Sequence, residues 1–207
     1  MELYRTIRKE ACETQIIEKS KFIAHAKPVE TREEADKFIG EIKSRYKDAT
    51  HNVPAMVLGE KCQIQWASDD GEPQGTSGAP IVQLLVSEGI TNVVIVVTRY
   101  FGGIKLGTGG LVRAYTSSAK LGLEAAGICD VEEMCILTYE VDYTYLSKLQ
   151  NMVSAGMFTI KGTEYAERVK LTLCTPPEKM ETVKEAVTNL TGGKGMLTDV
   201  HTEFVKN

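Results

Sequence analysis

Residues 92–113 read NVVIVVTRYFGGIKLGTGGLVR, and the fold turns on them. Asn92 to Thr98 is an almost unbroken β-branched run. Such a run belongs to a strand buried on both faces, in the middle of a sheet rather than at its edge. A loop follows at once, because Arg99 to Gly110 carries five glycines in twelve residues. From Leu111 the spacing turns helical, with Leu111, Tyr115, Ala119 and Leu123 on one stripe. Their neighbours Ser117, Ser118, Gly122 and Ala126 are small and let this helix lie close against the sheet.

Upstream, QIIEKSKFIAHA at 15–26 reads as an edge-type strand. Thr31-Arg32-Glu33-Glu34 is a capping box that opens an amphipathic helix, with Ala35, Phe38, Ile39, Ile42 and Tyr46 on its apolar face. PAMVLG and KCQIQWAS, joined at Gly59-Glu60, read as a β-hairpin. SDDGEPQGTSGAP, with three glycines and two prolines, is a loop. Thr76-Ser77-Gly78 at its end starts a helix that holds Ile81, Leu84 and Leu85.

Downstream, Gly127 caps the long helix and residues 128–133 connect to a second domain. Strands are expected near 134–142, 157–163, 168–174 and 196–204. One helix carries Leu146, Leu149 and Val153 and stops at Gly156. The other opens on the capping box Thr175-Pro176-Pro177-Glu178, carries Met180, Val183, Val187 and Leu190, and ends at Gly192-Gly193. This βαββαβ order is the ferredoxin-like pattern. The expected class is therefore α+β, with a glycine-rich α/β domain over 1–131 and a ferredoxin-like domain over 132–207.

Composition narrows the function. Of 207 residues, 43% are hydrophobic and 25% charged, normal globular values that give each domain a core. No apolar run reaches the roughly 18 residues of a membrane span. The start MELYRTIRKE has no apolar stretch of a secretory signal, so a cytoplasmic location is expected. Cys12, Cys62, Cys129, Cys135 and Cys174 are odd in number and scattered, which suits reduced core thiols rather than disulfides or a structural zinc site. The net charge is −4, with 16 basic against 17 acidic residues through 131 and 8 against 11 beyond. Non-specific binding to bulk nucleic acid is disfavoured, and a nucleic-acid site must be a local patch.

The candidate patch is the stretch 68–113, which holds nine of the eighteen glycines. A glycine loop at a helix N-terminus offers free N–H groups and the positive end of the dipole to an anion. Gly107, Thr108, Gly109 and Gly110 are its expected backbone donors. Arg99, Lys105 and Arg113 are its expected cations, and Tyr100, with Phe101, its expected stacking surface. The standard phosphate motifs are missing: no G-K-[ST] follows Gly103, and the last position of the dinucleotide fingerprint is Val112. Ser68, Asp69, Asp70 and Glu72, with Thr76 and Ser77, are candidates for Mg²⁺ binding or acid–base work, or for turn formation and pairing with Arg99 or Arg113. Asp48 and His51 form a further polar cluster, in which His51 is a candidate base or switch. Three histidines in different elements argue against a zinc triad, and no G-x-S-x-G elbow supports a hydrolase. No catalytic residue is assigned, and no cofactor or metal is expected.

KSKFIAHAKPV, DATHNVPA, SDDGEPQGTSGAP and VVTRYFGGIKLGTGGLVRAY together resemble the IMPACT family, including its bacterial YigZ-type members, over about residues 15–126. The C-terminal 76 residues resemble the accessory domain of the bacterial members. The resemblance implies a first domain similar to the second domain of ribosomal protein S-five, with a left-handed βαβ arrangement. It implies a second domain similar to the fifth domain of elongation factor G. Eukaryotic members restrain a stress-activated kinase of translation initiation through an additional N-terminal module. The family domain begins almost at Met1 here, so that role is not expected to carry over.

Three functional readings follow. The first is a non-catalytic regulator of translation that binds RNA, the ribosome or a translation-linked partner through the glycine-rich surface. The second, by fold analogy, is a nucleotide- and Mg²⁺-dependent small-molecule kinase, with Asp69 or Asp70 holding the metal. The third is a protein-interaction adaptor that docks a partner through the sheet face of the acidic C-terminal domain.

Overall fold

The structure is a computed structural model that describes residues 2–207; Met1 lies outside them. It divides into two compact units, Leu3–Val131 and Glu132–Val205. No helix among the described residues is long and apolar enough to cross a membrane.

The N-terminal unit runs β1 (Glu2–Ile7), β2 (Ala11–Ile17), β3 (Ser20–Pro28), α1 (Arg32–Arg45), β4 (His51–Leu58), β5 (Ile64–Ala67), α2 (Gly78–Ser87), β6 (Val93–Tyr100) and α3 (Gly107–Ala126). Its sheet has the order β2-β3-β6-β4-β5, and every neighbouring pair is antiparallel. The β-branched run is the central strand, as its composition demands, and Val93 to Arg99 are all buried. Side chains alternate between the two faces of the sheet. Phe22, Ala24, Ile95 and Val97 meet α2 and α3 on one face, whereas Met56, Leu58, Val94 and Val96 meet α1 on the other. The sheet is thus the middle of three layers, and each fully buried aliphatic side chain contributes about 1.5–3 kcal/mol.

The stripe of α3 is buried as its spacing predicts. Gly122 makes the close approach possible: a Cβ there would lie 2.9 Å from the Ala24 Cβ. Gln15 fastens the same helix to β2, donating to the Ser117 and Ser118 hydroxyls at 2.9 and 2.6 Å. The box at Thr31 forms as well. The Thr31 hydroxyl accepts from the Glu34 N–H at 3.2 Å, and the Glu34 carboxylate reaches the Glu30 N–H at 2.8 Å.

Four boundaries differ from the sequence reading, the first being that residues 128–133, expected as a connection, already belong to the strand Ile128–Val141. Residues 15–26 are not one edge strand but parts of a hairpin, because Glu18 and Lys19 take φ of 46° and 64° and turn the chain between β2 and β3. Only β2 is an edge; β3 is interior. The helix expected from Leu111 begins at Gly107, so the last glycines of the loop form its first turn. Thr175 caps nothing, since it ends a strand with its hydroxyl buried and unpartnered, and a 3₁₀ turn at Pro177–Lys179 leads into the following helix.

The C-terminal unit comprises β7 (Ile128–Val141, from Glu132 on), α4 (Leu146–Ser154), β8 (Thr159–Tyr165), β9 (Val169–Thr175), α5 (Met180–Thr191) and β10 (Met196–Lys206). Its own four strands pair in the order β10-β7-β9-β8, and β1 also pairs with β7 to make the sheet five-stranded. In units of its own strands this is fourth-first-third-second, which two crossing βαβ units with one strand inserted between each pair produce. Leu137, Tyr139, Leu149, Leu171, Val183 and Val187 meet in its core. Gly192, at φ 58°, closes α5 in the left-handed conformation.

His25 on β3 is 3% exposed, and its ring lies 4.8 Å from that of Tyr46. Burial, aided by the positive charge of Arg45 and opposed by Glu10, lowers its pKa to about 4 from the usual 6.5. The unfolded chain therefore binds the proton first as pH falls. The stability tied to neutral His25 is complete above pH 6.5 and is lost as pH drops towards 4. Urea midpoints at pH 7 and pH 4.5 should differ more for the wild type than for His25→Phe.

Candidate functional site

The loop from Ser68 to Ser77 is built by its own carboxylates. Asp70 and Gly71 take φ of 47° and 89°, and the Glu72 N–H donates to the Asp69 carbonyl at 3.0 Å, which makes a tight turn. Asp69 then reaches forward to α2. Its Oδ1 accepts from the Ser77 hydroxyl at 2.7 Å and the Gly78 N–H at 3.0 Å, and its Oδ2 accepts from the Gly75 N–H at 2.7 Å. Burial pulls the Asp69 pKa upward, but these bonds outweigh it and hold the carboxyl below its ordinary value. Ser77 is the N-cap residue of α2 without a side-chain cap bond, and Asp69 does that work from a distance. Thr76 donates its hydroxyl to the Pro73 carbonyl at 2.6 Å.

Asp70 points the other way. It accepts from Lys43 on α1 at 2.6 Å and from the Asn52 N–H on β4 at 2.6 Å, while the Ser68 hydroxyl accepts from the Asp70 N–H at 3.2 Å. His51 Nδ1 lies 2.8 Å from the Asp70 carbonyl. A carbonyl can only accept, so this bond places the ring proton on Nδ1 and leaves Nε2 towards Glu72, 3.7 Å away.

Glu72 is buried, with 8% of its surface exposed. Its Oε1 accepts from Arg99 Nη1 at 2.6 Å and from the Tyr115 hydroxyl at 2.7 Å. Burial, then the bond to Glu72, pushes the Tyr115 phenol far above its ordinary pKa, so it remains a donor. Arg99 is itself only 5% exposed. Its guanidinium sits 5.4 Å from the centre of the Phe22 ring and 5.5 Å from that of Phe101, and its Nη2 reaches the Ser20 hydroxyl at 3.4 Å.

Of the two roles open to Arg99, phosphate contact and pairing with a nearby carboxylate, the structure shows the pairing: it is an interior cation that holds Glu72. The reason is physical: an arginine leaving a central strand cannot stay in the interior without a carboxylate, and Glu72 supplies it. Of the alternatives open to Asp69 and Asp70, the structure shows turn formation and internal bonding, as a helix cap and a tie to α1. Asp48 accepts from the Tyr100 hydroxyl at 3.1 Å, which ties the end of β6 to the segment before β4. Phe101, 47% exposed, is the open aromatic surface.

The remaining candidates do come together. Lys105, Thr108, Gly109 and Arg113 are grouped around the start of α3, whose N-terminus has no side-chain cap and no acidic residue in its first turn. Gly107 and Gly110 belong to the same turn. Arg113 lies in the second turn, and neither it nor Lys105 makes a side-chain ion pair among the described residues. Gly102 brings the loop against the β2–β3 turn: a Cβ there would clash with the Lys19 carbonyl, and the Gly102 N–H donates to the Ser20 hydroxyl at 3.1 Å. Lys19 and Lys21, which the sequence reading passed over, are exposed on that hairpin. Their signal was the KSK of residues 19–21.

Because Glu72 and Arg99 are both almost wholly withdrawn from water, removing one leaves the other uncompensated. Glu72→Gln and Arg99→Ala should each cost about 3–5 kcal/mol of stability. Guanidinium unfolding checks this, and Lys105→Ala should leave the midpoint nearly unchanged.

Two family descriptions match the chain: the Impact N-terminal domain over residues 18–123, and a domain of unknown function, DUF1949, over residues 140–194. IMPACT family member YvyE of Bacillus subtilis is 41% identical over 191 residues, covering 92% of this chain and 88% of that protein. IMPACT family member YigZ of Escherichia coli is 32% identical over 166 residues, 79% of this chain and 81% of that protein. Protein IMPACT of Rattus norvegicus is 32% identical over 94 residues, 43% of this chain and 29% of that protein. A crystal structure described as that of a hypothetical protein superposes with a TM-score of 0.60 at 28% identity, covering 97% of this chain and 98% of that one. With the glycine-rich site inside the first matched region and bacterial relatives alike across both units, the chain belongs to the IMPACT family.

Proposed function

We propose that this protein is a non-catalytic, cytosolic regulator of translation that binds RNA on the ribosome through the 101–106 loop and the start of α3. One observation carries the reading. A helix of 20 residues presents an uncapped, glycine-rich N-terminus beside two cations that lack carboxylate partners among the described residues. Its free N–H groups and dipole favour an anion, and Lys105 and Arg113 add charge at the same place. Lys19 and Lys21 extend the patch across the neighbouring hairpin. Phe101 adds an exposed ring on which a base can stack.

The link to translation comes from the family, whose eukaryotic members act on translation initiation, and from the resemblance of both domains to parts of the translation machinery. The kinase reading loses its support, because the carboxylates it needed are engaged by α2 and by Lys43. For the adaptor reading, Met196, Val200 and Phe204 leave apolar side chains exposed along β10.

The test is co-sedimentation with ribosomes and subunits across a salt series. Association should weaken steeply with salt. Lys105→Ala/Arg113→Ala should weaken it at least about tenfold and lower the log–log salt slope by about two. No association at low salt would sink the proposal.

A further inference from the structure

Beside Phe101 lies a cavity of about 380 Å³ that phosphate binding alone leaves unexplained. Pro73, Phe101, Leu106 and Leu111 give it apolar walls, Glu72 and Arg99 form its buried side, and Lys105, Gly107 and Thr108 bring it to the start of α3. The volume is within the range of small-molecule sites.

Its buried polar side is incompletely used. Both hydrogen bonds to the Glu72 carboxylate fall on Oε1, from Arg99 and from Tyr115. Oε2 accepts none among the described residues, although Glu72 is 8% exposed. Oε2 is not among the atoms sealed away without a partner, and Glu72 lines the cavity. Arg99 Nε, by contrast, is sealed and unpartnered, which makes the positive charge behind the carboxylate incompletely satisfied as well. An ionised carboxylate oxygen in an apolar pocket calls for N–H or O–H donors. The Phe101 ring calls for a flat partner, and the helix N-terminus with Lys105 calls for an anion.

We propose that the cavity takes a guanine nucleotide of the bound RNA. This rests on the RNA reading given above and names the base that the site prefers. Guanine alone among the four bases offers two adjacent N–H donors, N1–H and N2–H, on its Watson–Crick edge. They meet Glu72 Oε2, the base lies against Phe101, and the phosphate takes the N–H groups at Gly107 and Thr108 together with Lys105. Adenine and cytosine would bring a single amine donor beside a ring-nitrogen acceptor, and uracil a single N3–H flanked by two carbonyl oxygens.

Amide spectra of the full chain, titrated with GMP, AMP, CMP, UMP and inorganic phosphate, test this. GMP should shift the Phe101, Gly107, Thr108 and Leu111 amides with an affinity at least about tenfold above that of the other nucleotides, the discrimination of one good base contact. Inorganic phosphate should shift Gly107 and Thr108 alone, and more weakly. Glu72→Gln strips Arg99 of its counter-charge and destabilises the fold, so the variant arm is Phe101→Ala, which should weaken GMP about tenfold, the contribution of one stacked base. Equal affinity for the four nucleotides, phosphate binding as tightly as GMP, or no shift at saturating GMP overturns the inference. Salt-sensitive ribosome association that persists beside any of those results leaves the surface reading standing. Loss of ribosome association overturns the surface reading, whatever GMP does.

Discussion

A carboxylate and a guanidinium with almost no access to water organise the N-terminal unit. Glu72 and Arg99 come from segments 27 residues apart, one in a loop and one at the end of the central strand. Taking either charge from water alone costs several kcal/mol, so neither segment can settle without the other. The pair therefore sets where the 68–77 loop lies against β6. Tyr115 extends the constraint to α3, and Ser20 extends it to the β2–β3 turn. Four elements are positioned by one buried charge pair.

What surrounds the pair follows from that placement. With the loop pinned at Glu72, Asp69 is left to meet the first turn of α2 and Asp70 to meet α1. The two acids on one turn face opposite ways because the turn has left-handed backbone at Asp70 and Gly71. The glycine-rich 101–106 segment then crosses the β2–β3 turn at Gly102 with no room for a side chain. Its basic residue and its aromatic one, Lys105 and Phe101, are left outside.

The fold was legible where periodicity carried it. The β-branched run gave a central strand, the 3.6-residue stripes gave α1, α3 and α5, and the element order of the second domain gave its strand arrangement. The turn at Glu18–Lys19 was not legible, because neither residue is one that favours positive φ, and the demand comes from pairing β2 with β3. The site was legible as a place and not as a set of roles. Glycine density marked where the backbone approaches something. It carried no signal of which arginine was interior, because that depends on the carboxylate that folds onto it. Arg113, in the second turn of a helix, and Arg99, at the end of a buried strand, look alike as residue types and differ completely in solvation.

That difference decides how a binding surface can exist on a chain of net charge −4. The cation nearest the middle of the site is neutralised inside the protein and spends its charge on shape. Attraction for an anion must then come from what remains outside: peptide dipoles at the start of α3 and side chains at the rim. Such a field is local and falls away within about a Debye length, roughly 8 Å at physiological salt. Under the proposed reading it acts on a phosphate that the loop geometry has already brought close and gives little pull on polyanions at a distance. Selectivity must therefore reside in the fit of the loop and the cavity beside it, and that fit is what the buried pair preserves. If the surface binds as proposed, substitution of Arg99 should alter binding by releasing the loop, whereas substitution of Lys105 or Arg113 should alter it by removing charge. Only the second kind reads the surface itself.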